Sequence, residues 1–237
     1  MTKEKKLDMN DKKGCIIIPA YNEENHISEV VKLACLQLPT FVIDDGSQDG
    51  TVQKARESGA LVFEQIKNQG KGAALKRGFL EAIQLGYEYV ITIDADGQHD
   101  VQEVPNFQAL YSATQFDLII GYRDFSKMPF SRKLANTIGG KAFSWAMGMK
   151  ILDNQSGYRL LSKRLMESVL TSQEAGFEFE VDVIVNCLQN NYSLGWVPIR
   201  TIYGEEKSHI QPVSHVSNFF RVVLETRKRM KHKQKGQ

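Results

Sequence analysis

Along the first hundred residues, short apolar runs of strand length alternate with amphipathic stretches of helical period. Residues 14–19 read Gly-Cys-Ile-Ile-Ile-Pro, a continuous apolar strand closed by proline. Asn25 is placed to cap a helix through Ile27, Val30, Val31, Ala34 and Leu38, which share one face at 3.6 residues per turn. Residues 41–43 form a second buried strand, Asp49-Gly-Thr51 opens a helix to about residue 58, and residues 61–63 form a third strand. Asn68-Gln-Gly-Lys-Gly-Ala-Ala-Leu75 begins a helix lasting to about residue 85, and residues 89–93, Tyr-Val-Ile-Thr-Ile, form a fourth strand. This alternation predicts an α/β fold: a mostly parallel central sheet with right-handed crossovers, flanked by helices.

The second half of the pattern is less regular. It predicts a helix over 100–113, a strand over 117–121, a polar loop with aromatics over 122–130 and a helix over 131–149 that carries Arg132, Asn136 and Trp145. Residues 153–161 read as a turn into a short strand, and residues 193–203 as a last strand before a loop over 204–212. Between them a helix over 178–190 puts Val181, Ile184, Val185 and Leu188 on one face, with Glu178 and Asp182 on one flank and Glu180 on the other. From 215 to 235, Val216, Phe219, Phe220, Val223 and Leu224 make an apolar stripe among basic residues. That is either an interfacial helix, apolar face among lipid headgroups, or a core-packed helix with a solvated tail. The chain thus divides into a polar leader (1–13), one domain (14–212) and a basic amphipathic C-terminal helix and tail (213–237).

Composition narrows the class. With 237 residues, 42% hydrophobic and 24% charged, the chain can bury a core and is neither disordered nor a membrane bundle. No stretch approaches the roughly 20 apolar residues that cross a bilayer, and residues 1–13 lack the apolar core of a secretory signal. Cys15, Cys35 and Cys187 are widely spaced without a zinc or redox pattern, so the cytosol is the expected setting. The net charge of +2 conceals the run Arg227-Lys-Arg-Met-Lys-His-Lys-Gln-Lys235. It is terminal and has no interleaved aromatics, so nucleic acid is not an expected partner.

The chemistry gathers at strand ends. The fourth strand stops at Asp94 and Asp96, and the second at Asp44-Asp45. In open α/β sheets ligands bind in the crevice outside the carboxyl ends of the strands. Two close carboxylates repel unless a cation lies between them, and Mg²⁺ or Mn²⁺ suits carboxylate oxygens shared with phosphate and water. An EF-hand is excluded, because Gly97 comes at position four of that acidic run rather than six. Asp44 reads as a cap for the following turn. Gln69-Gly-Lys-Gly, with Lys71, is either an anion nest or an exposed helix start, and lacks the spacing of a P-loop. Arg123, Arg132, Arg159, Arg200 and Lys207 are cations to test for phosphate contact, and His99 reads as a hydrogen-bonded surface histidine.

Ile18-Pro-Ala-Tyr-Asn-Glu23, Val42-Ile-Asp-Asp-Gly-Ser47 with Asp49-Gly-Thr51, and Asp94-Ala-Asp-Gly-Gln-His99 resemble, in order and spacing, the family 2 glycosyltransferases of GT-A fold. Gln155-Ser-Gly-Tyr-Arg159 and Tyr203-Gly-Glu-Glu-Lys-Ser208 narrow the resemblance to the polyprenyl-phosphate sugar transferase branch that includes dolichyl-phosphate mannosyltransferase. In the last motif the branch's usual Gly-Glu-Ser-Lys order is altered by one residue. The resemblance spans residues 14–212. It implies a nucleotide-sugar-binding GT-A fold in which Pro19, Ala20, Tyr21, Glu23 and Asp45 hold the nucleoside. Asp94, Asp96 and Gln98 would hold the metal on the donor diphosphate, which gives Asp96 a catalytic part, and Lys71 would sit on the donor side. Arg123, Arg132 and Lys207 are expected at the acceptor phosphate.

The activity so implied is inverting, metal-dependent transfer of a hexose from a GDP- or UDP-sugar to polyprenyl phosphate at the cytoplasmic membrane face. A hydroxyl acceptor on a glycan, lipid or protein is the alternative, and would need a general base from Asp153, Glu178, Glu180 or Asp182. A non-catalytic nucleotide-sugar-binding subunit is the reading of another class.

Overall fold

The computed structural model describes residues 13–123, 130–176, 178–200 and 223–230, without the side chains of 130–138. Seven strands form one sheet: β1 (Gly14–Ala20), β2 (Thr40–Asp44), β3 (Leu61–Glu64), β4 (Tyr89–Thr92), β5 (Leu118–Arg123), β6 (Arg159–Ser162) and β7 (Leu194–Ile199), in the order β3-β2-β1-β4-β6-β5-β7. All neighbouring pairs are parallel except those of β6, which runs antiparallel to both β4 and β5. The expected mostly parallel sheet is what forms.

Helices α1 (Ile27–Cys35), α2 (Thr51–Glu57), α3 (Lys71–Gln84), α4 (Val104–Thr114), α5 (Phe130–Met147), α6 (Lys163–Val169) and α7 (Glu178–Gln189) cover both faces, with a further helix, α8, at 223–230. Side chains alternate across a strand, so β1 feeds two cores. Ile16 and Ile18 join α1, α2 and α4 through Val31, Ala55 and Phe107. Cys15 and Ile17 join α3, α5, α6 and α7 through Phe79, Phe143, Leu165 and Phe179. Cys15 and Cys187 are buried and all three cysteines are free thiols.

Three local expectations change. The turn before α1 is capped by His26 without a side-chain bond, not by Asn25. A helix the periodicity did not mark, α6, starts at Ser162, whose Oγ accepts the Leu165 N–H. In α8, Val223 and Thr226 are buried and Met230 packs on the core, while Leu224 is exposed. The stripe therefore does not lie on one face: Val223 points inward and Leu224 outward, and Val216, Phe219 and Phe220 lie outside the described residues.

The antiparallel strand matters for the site. Because Arg159 pairs with Thr92, β6 begins where β4 ends, and the loop before it is delivered to the carboxyl end of β4. Thr92 Oγ1 donates to the Gly157 carbonyl at 2.6 Å, fastening that loop.

Candidate active site

The carboxyl ends of β1, β2 and β4 open onto a cavity of about 370 Å³. Pro19, Ala20, Tyr21, Glu23, Asp45, Lys71 and Asp94, the residues expected on the donor side, all line it, together with Asn68, Gly70, Ala95 and Asp96. Two loops are tied to each other to make this wall. Asn22, at a left-handed φ of 56°, donates its N–H to Ser47 Oγ at 2.9 Å and accepts the Gln48 N–H at 2.9 Å, while the Glu23 N–H donates to Thr51 Oγ1 at 2.8 Å. Asp44 caps the turn as expected, with Oδ2 accepting the Gly46 and Ser47 N–H groups.

Asp45 does more than line the wall. Its two oxygens accept the N–H groups of Gln69 and Gly70, each at 2.8 Å. The nest at the start of α3 is thus filled by the protein's own carboxylate. Gly70 adopts φ +96°, and a Cβ there would stand 2.6 Å from the Ala175 carbonyl oxygen, so only glycine fits the turn.

That turn aims Lys71 inward. Its Nζ lies 2.6 Å from Asp94 Oδ1 and 2.8 Å from Glu180 Oε1. Burial alone would raise the Asp94 carboxyl, but Lys71, helped by His99 and Arg159, brings it down to about 2. Asp96 goes the other way: burial and the neighbouring Asp94 charge push it above the usual carboxylate range, against the Gln98 N–H that donates to its Oδ1 at 2.9 Å. His99 is buried rather than on the surface, beside Tyr158 with ring centroids 5.1 Å apart. Its Nδ1 accepts the Asp94 N–H at 3.2 Å, which puts the neutral ring's proton on Nε2, and burial lowers its affinity for a second proton.

The remaining expected residues fall into place differently. Arg159 is buried and donates to the carbonyls of Ser156 (2.7 Å), Asn154 (3.1 Å) and Glu180, so it braces the β6 loop and is not open to a phosphate. Asp153 holds Arg123 through two bonds of 2.7 and 3.0 Å and also accepts the Gln155 N–H. Occupied on both oxygens, it is not an open base. Asp182 was a candidate base, but it faces away from the site and pairs with Arg229 of α8, beside Glu178. The helical phase separated the two flanks correctly; the flank that meets the site is that of Glu180. Arg200 is bound to Glu103 at 2.9 Å. The Arg132 side chain and Lys207 lie outside the described residues.

The aspartate pair fits a divalent cation. Both carboxylates border one cavity, and the Asp94 repulsion that adds to burial in raising Asp96 is what a cation between them would relieve. Gly157 leaves room for Asp94, since a Cβ there would stand 2.7 Å from both of its oxygens. No cluster of three or more His, Cys, Asp or Glu suited to a metal occurs among the described residues. Two protein carboxylates with substrate phosphates and water completing the shell is the arrangement Mg²⁺ favours.

The chain is similar to proteins of known kind. The family model described as Glycosyl transferase family 2 matches residues 15–170. UDP-N-acetylglucosamine–dolichyl-phosphate N-acetylglucosaminyltransferase of Methanococcus voltae is 30% identical over 226 residues, covering 83% of this chain and 88% of that one. Polyprenol monophosphomannose synthase of Mycolicibacterium smegmatis is 30% identical over 200 residues, covering 78% and 75%. Among solved structures, glucosyl-3-phosphoglycerate synthase from Mycobacterium tuberculosis in complex with UDP superposes with a TM-score of 0.71 at 22% identity, covering 94% of this chain and 81% of that one. That likeness shows the GT-A fold. A match across most of the sheet, with a nucleotide-sized cavity at the strand ends and two aspartates closing it, leads to one conclusion: this chain belongs to glycosyl transferase family 2 and is a glycosyltransferase.

Proposed function

We propose that the enzyme is an inverting, divalent-metal-dependent hexosyltransferase that moves a sugar from a GDP- or UDP-linked donor to polyprenyl phosphate at the cytoplasmic membrane face. In this reading residues 14–212 are the catalytic unit and 213–237 a basic helix and tail. One observation carries the reading: Asp94 and Asp96 close the same cavity whose other wall is Pro19, Ala20, Tyr21, Glu23 and Asp45. The nucleoside lies along that wall and its diphosphate against the aspartates. Asp94, Asp96 and Gln98 would hold Mg²⁺ or Mn²⁺, which as a Lewis acid neutralises the charge developing on the leaving diphosphate. Metal-bearing complexes of the structural neighbour, crystallised with Mn²⁺ and UDP-glucose, agree with that assignment.

A phosphate acceptor is supported by the state of the carboxylates. Asp153 is held by Arg123, Glu180 by Lys71 and Asp182 by Arg229, and Glu178 stands beside Asp182 and away from the cavity, so none of the four candidates is placed as an open base. A phosphate needs none: it attacks already ionised, and positioning with charge stabilisation suffices. Relatives named for dolichyl-phosphate and polyprenol monophosphate products support the same acceptor class. Arg132 and Lys207 are assigned to the acceptor phosphate, and Arg123 with them on the condition that the phosphate takes the place of Asp153, which holds it in this structure.

The test is thermal stabilisation of the protein by GDP and UDP, with and without Mn²⁺, followed by transfer of radiolabelled sugar to polyprenyl phosphate. Metal-dependent stabilisation by one nucleotide and an acid-labile lipid product are expected. A product stable to mild acid would move the acceptor to a hydroxyl.

A further inference from the structure

Helices α5 and α8 meet at Trp145. Lys141 and Trp145, four residues apart, share the exposed face of α5, and Met149 and Lys150 follow just past its end. Trp145 is 56% exposed although its neighbours Phe143 and Ala146 are buried in the core. On α8 the exposed side carries Leu224, 55% exposed, and Lys228. Arg227 joins the two helices: its guanidinium lies over the Trp145 ring at 5.0 Å and donates to the Trp145 carbonyl at 3.1 Å. At this junction Trp145, Met149 and Leu224 are exposed together with Lys141, Lys150 and Lys228, Arg227 bridges the two helices, and Glu225 is the one exposed acid on α8.

Charge along the chain is segregated to match. Residues 125–152 contain five lysines and arginines and no acid, and residues 223–237 contain six with a single acid, Glu225, exposed on α8. Along the sequence, eleven of the 30 cations and one of the 28 acids thus fall in the stretches that include α5 and α8, and the rest of the chain is net acidic.

From this we infer that the α5–α8 junction is a docking surface for an anionic lipid bilayer, with Trp145 as its interfacial anchor. An indole with aliphatic and thioether neighbours suits the headgroup boundary, where its ring is half apolar and half wet, and lysine and arginine stems reach from there to lipid phosphates. Each cation near an anionic surface adds attraction that salt screens. A nucleic-acid surface would instead offer aromatic platforms in series. The inference serves the proposed lipid-borne acceptor but stands on the surface itself, which is apart from the cavity at the strand ends.

The full chain is sedimented with vesicles of phosphatidylcholine alone and with about one-third phosphatidylglycerol, while tryptophan emission is followed; Trp196, the other tryptophan, is partly buried in the core. Binding to the anionic vesicles at least about tenfold tighter than to neutral ones, with a blue shift, is expected, and should weaken in salt. Trp145→Ala should lose about tenfold in partitioning and the blue shift, and Lys141→Glu with Lys228→Glu, which leaves the Arg227–Trp145 contact intact, should lose binding with an unchanged melting temperature. Equal binding to both vesicles, unaltered binding by Trp145→Ala, or retention on RNA with none on vesicles would overturn the inference. Transfer to a short-chain polyprenyl phosphate in detergent separates the two proposals. Vesicle binding without such transfer sinks the acceptor assignment alone; transfer retained by Trp145→Ala without vesicle binding by the native chain sinks the docking surface alone.

Discussion

The two halves of the sheet use their acids in opposite ways. On the β3-β2-β1-β4 side, carboxylates shape loops and face a cavity: Asp44 and Asp45 hold backbone N–H groups, and Asp94 and Asp96 border open space. On the β6-β5-β7 side, Asp117, Asp153 and Arg159 are each consumed by partners. Asp117 takes Arg164, Ser162 and Ser193 at once and so knits β5 to the ends of β6 and β7, Asp153 takes Arg123, and Arg159 fills a ring of carbonyls. The difference teaches that an acid at a strand end is evidence of chemistry only when its loop leaves it facing a void. Where helices and strands close over it, it is part of the frame.

The sharpest way to break this contrast is to neutralise one acid on each side. Asp96→Asn should cut transfer by about two to three orders of magnitude while the fold persists, measured as kcat against melting temperature. Since the folded Asp96 carboxyl is raised, ionising it costs the metal-free protein stability as pH rises through its range, so the asparagine variant should be no less stable at neutral pH.

Asp117→Asn should do the reverse, costing about 3 kcal/mol of stability in denaturant titration while kcat stays within about twofold. Burial opposes its ionisation, but Arg164, Ser193 and Ser162 hold its carboxyl down to about 2. A lowered carboxyl adds stability that is full above the unfolded value near 4 and lost as pH falls toward 2, so the variant's acid unfolding should be less steep between those limits.

A smaller effect sharpens the border between the halves. Gly157→Ala sets a Cβ against both oxygens of Asp94, and should weaken Mn²⁺-dependent nucleotide binding by about tenfold, read by calorimetry. Smallest of all, Asp182→Asn loosens α8 from α7 and should lower stability by about 1 kcal/mol without changing the pH profile of transfer, because Asp182 belongs to the frame.

Legibility follows the same division. The first four strands were readable because each is a short apolar run punctuated by a polar loop, and Asp94 and Asp96 sit within three residues of one such end. The reversed direction of β6 was not, since a strand's period of two is the same either way. Neither the Asp45 bonds to Gln69 and Gly70 nor the reach of Lys71 to Glu180 has a local signal, as the partners lie 24 and more residues apart. Helical phase put Glu180 and Asp182 on different flanks but could not say which flank faced the site, because rotation about the axis is set by the sheet beneath. Arg159 shows the limit for charge: nothing in Gln155-Ser-Gly-Tyr-Arg159 announces that three carbonyls will surround it. Ser162 is the exception, a helix start with a serine cap that could have been found.

The grip of Asp45 on the Gly70 turn has a practical corollary for anyone re-engineering donor preference. Removing that carboxylate frees the Gln69 amide, leaves the Gly70 amide to Asn68 alone and loosens the bend that aims Lys71 toward Asp94, so a variant there would confound loss of the proposed base contact with a misdirected ammonium. Asn68 shares that turn, its Oδ1 accepting the same Gly70 N–H at 3.1 Å, so a swap at Tyr21, which borders the cavity on its other side, is where a change of nucleobase is best sought.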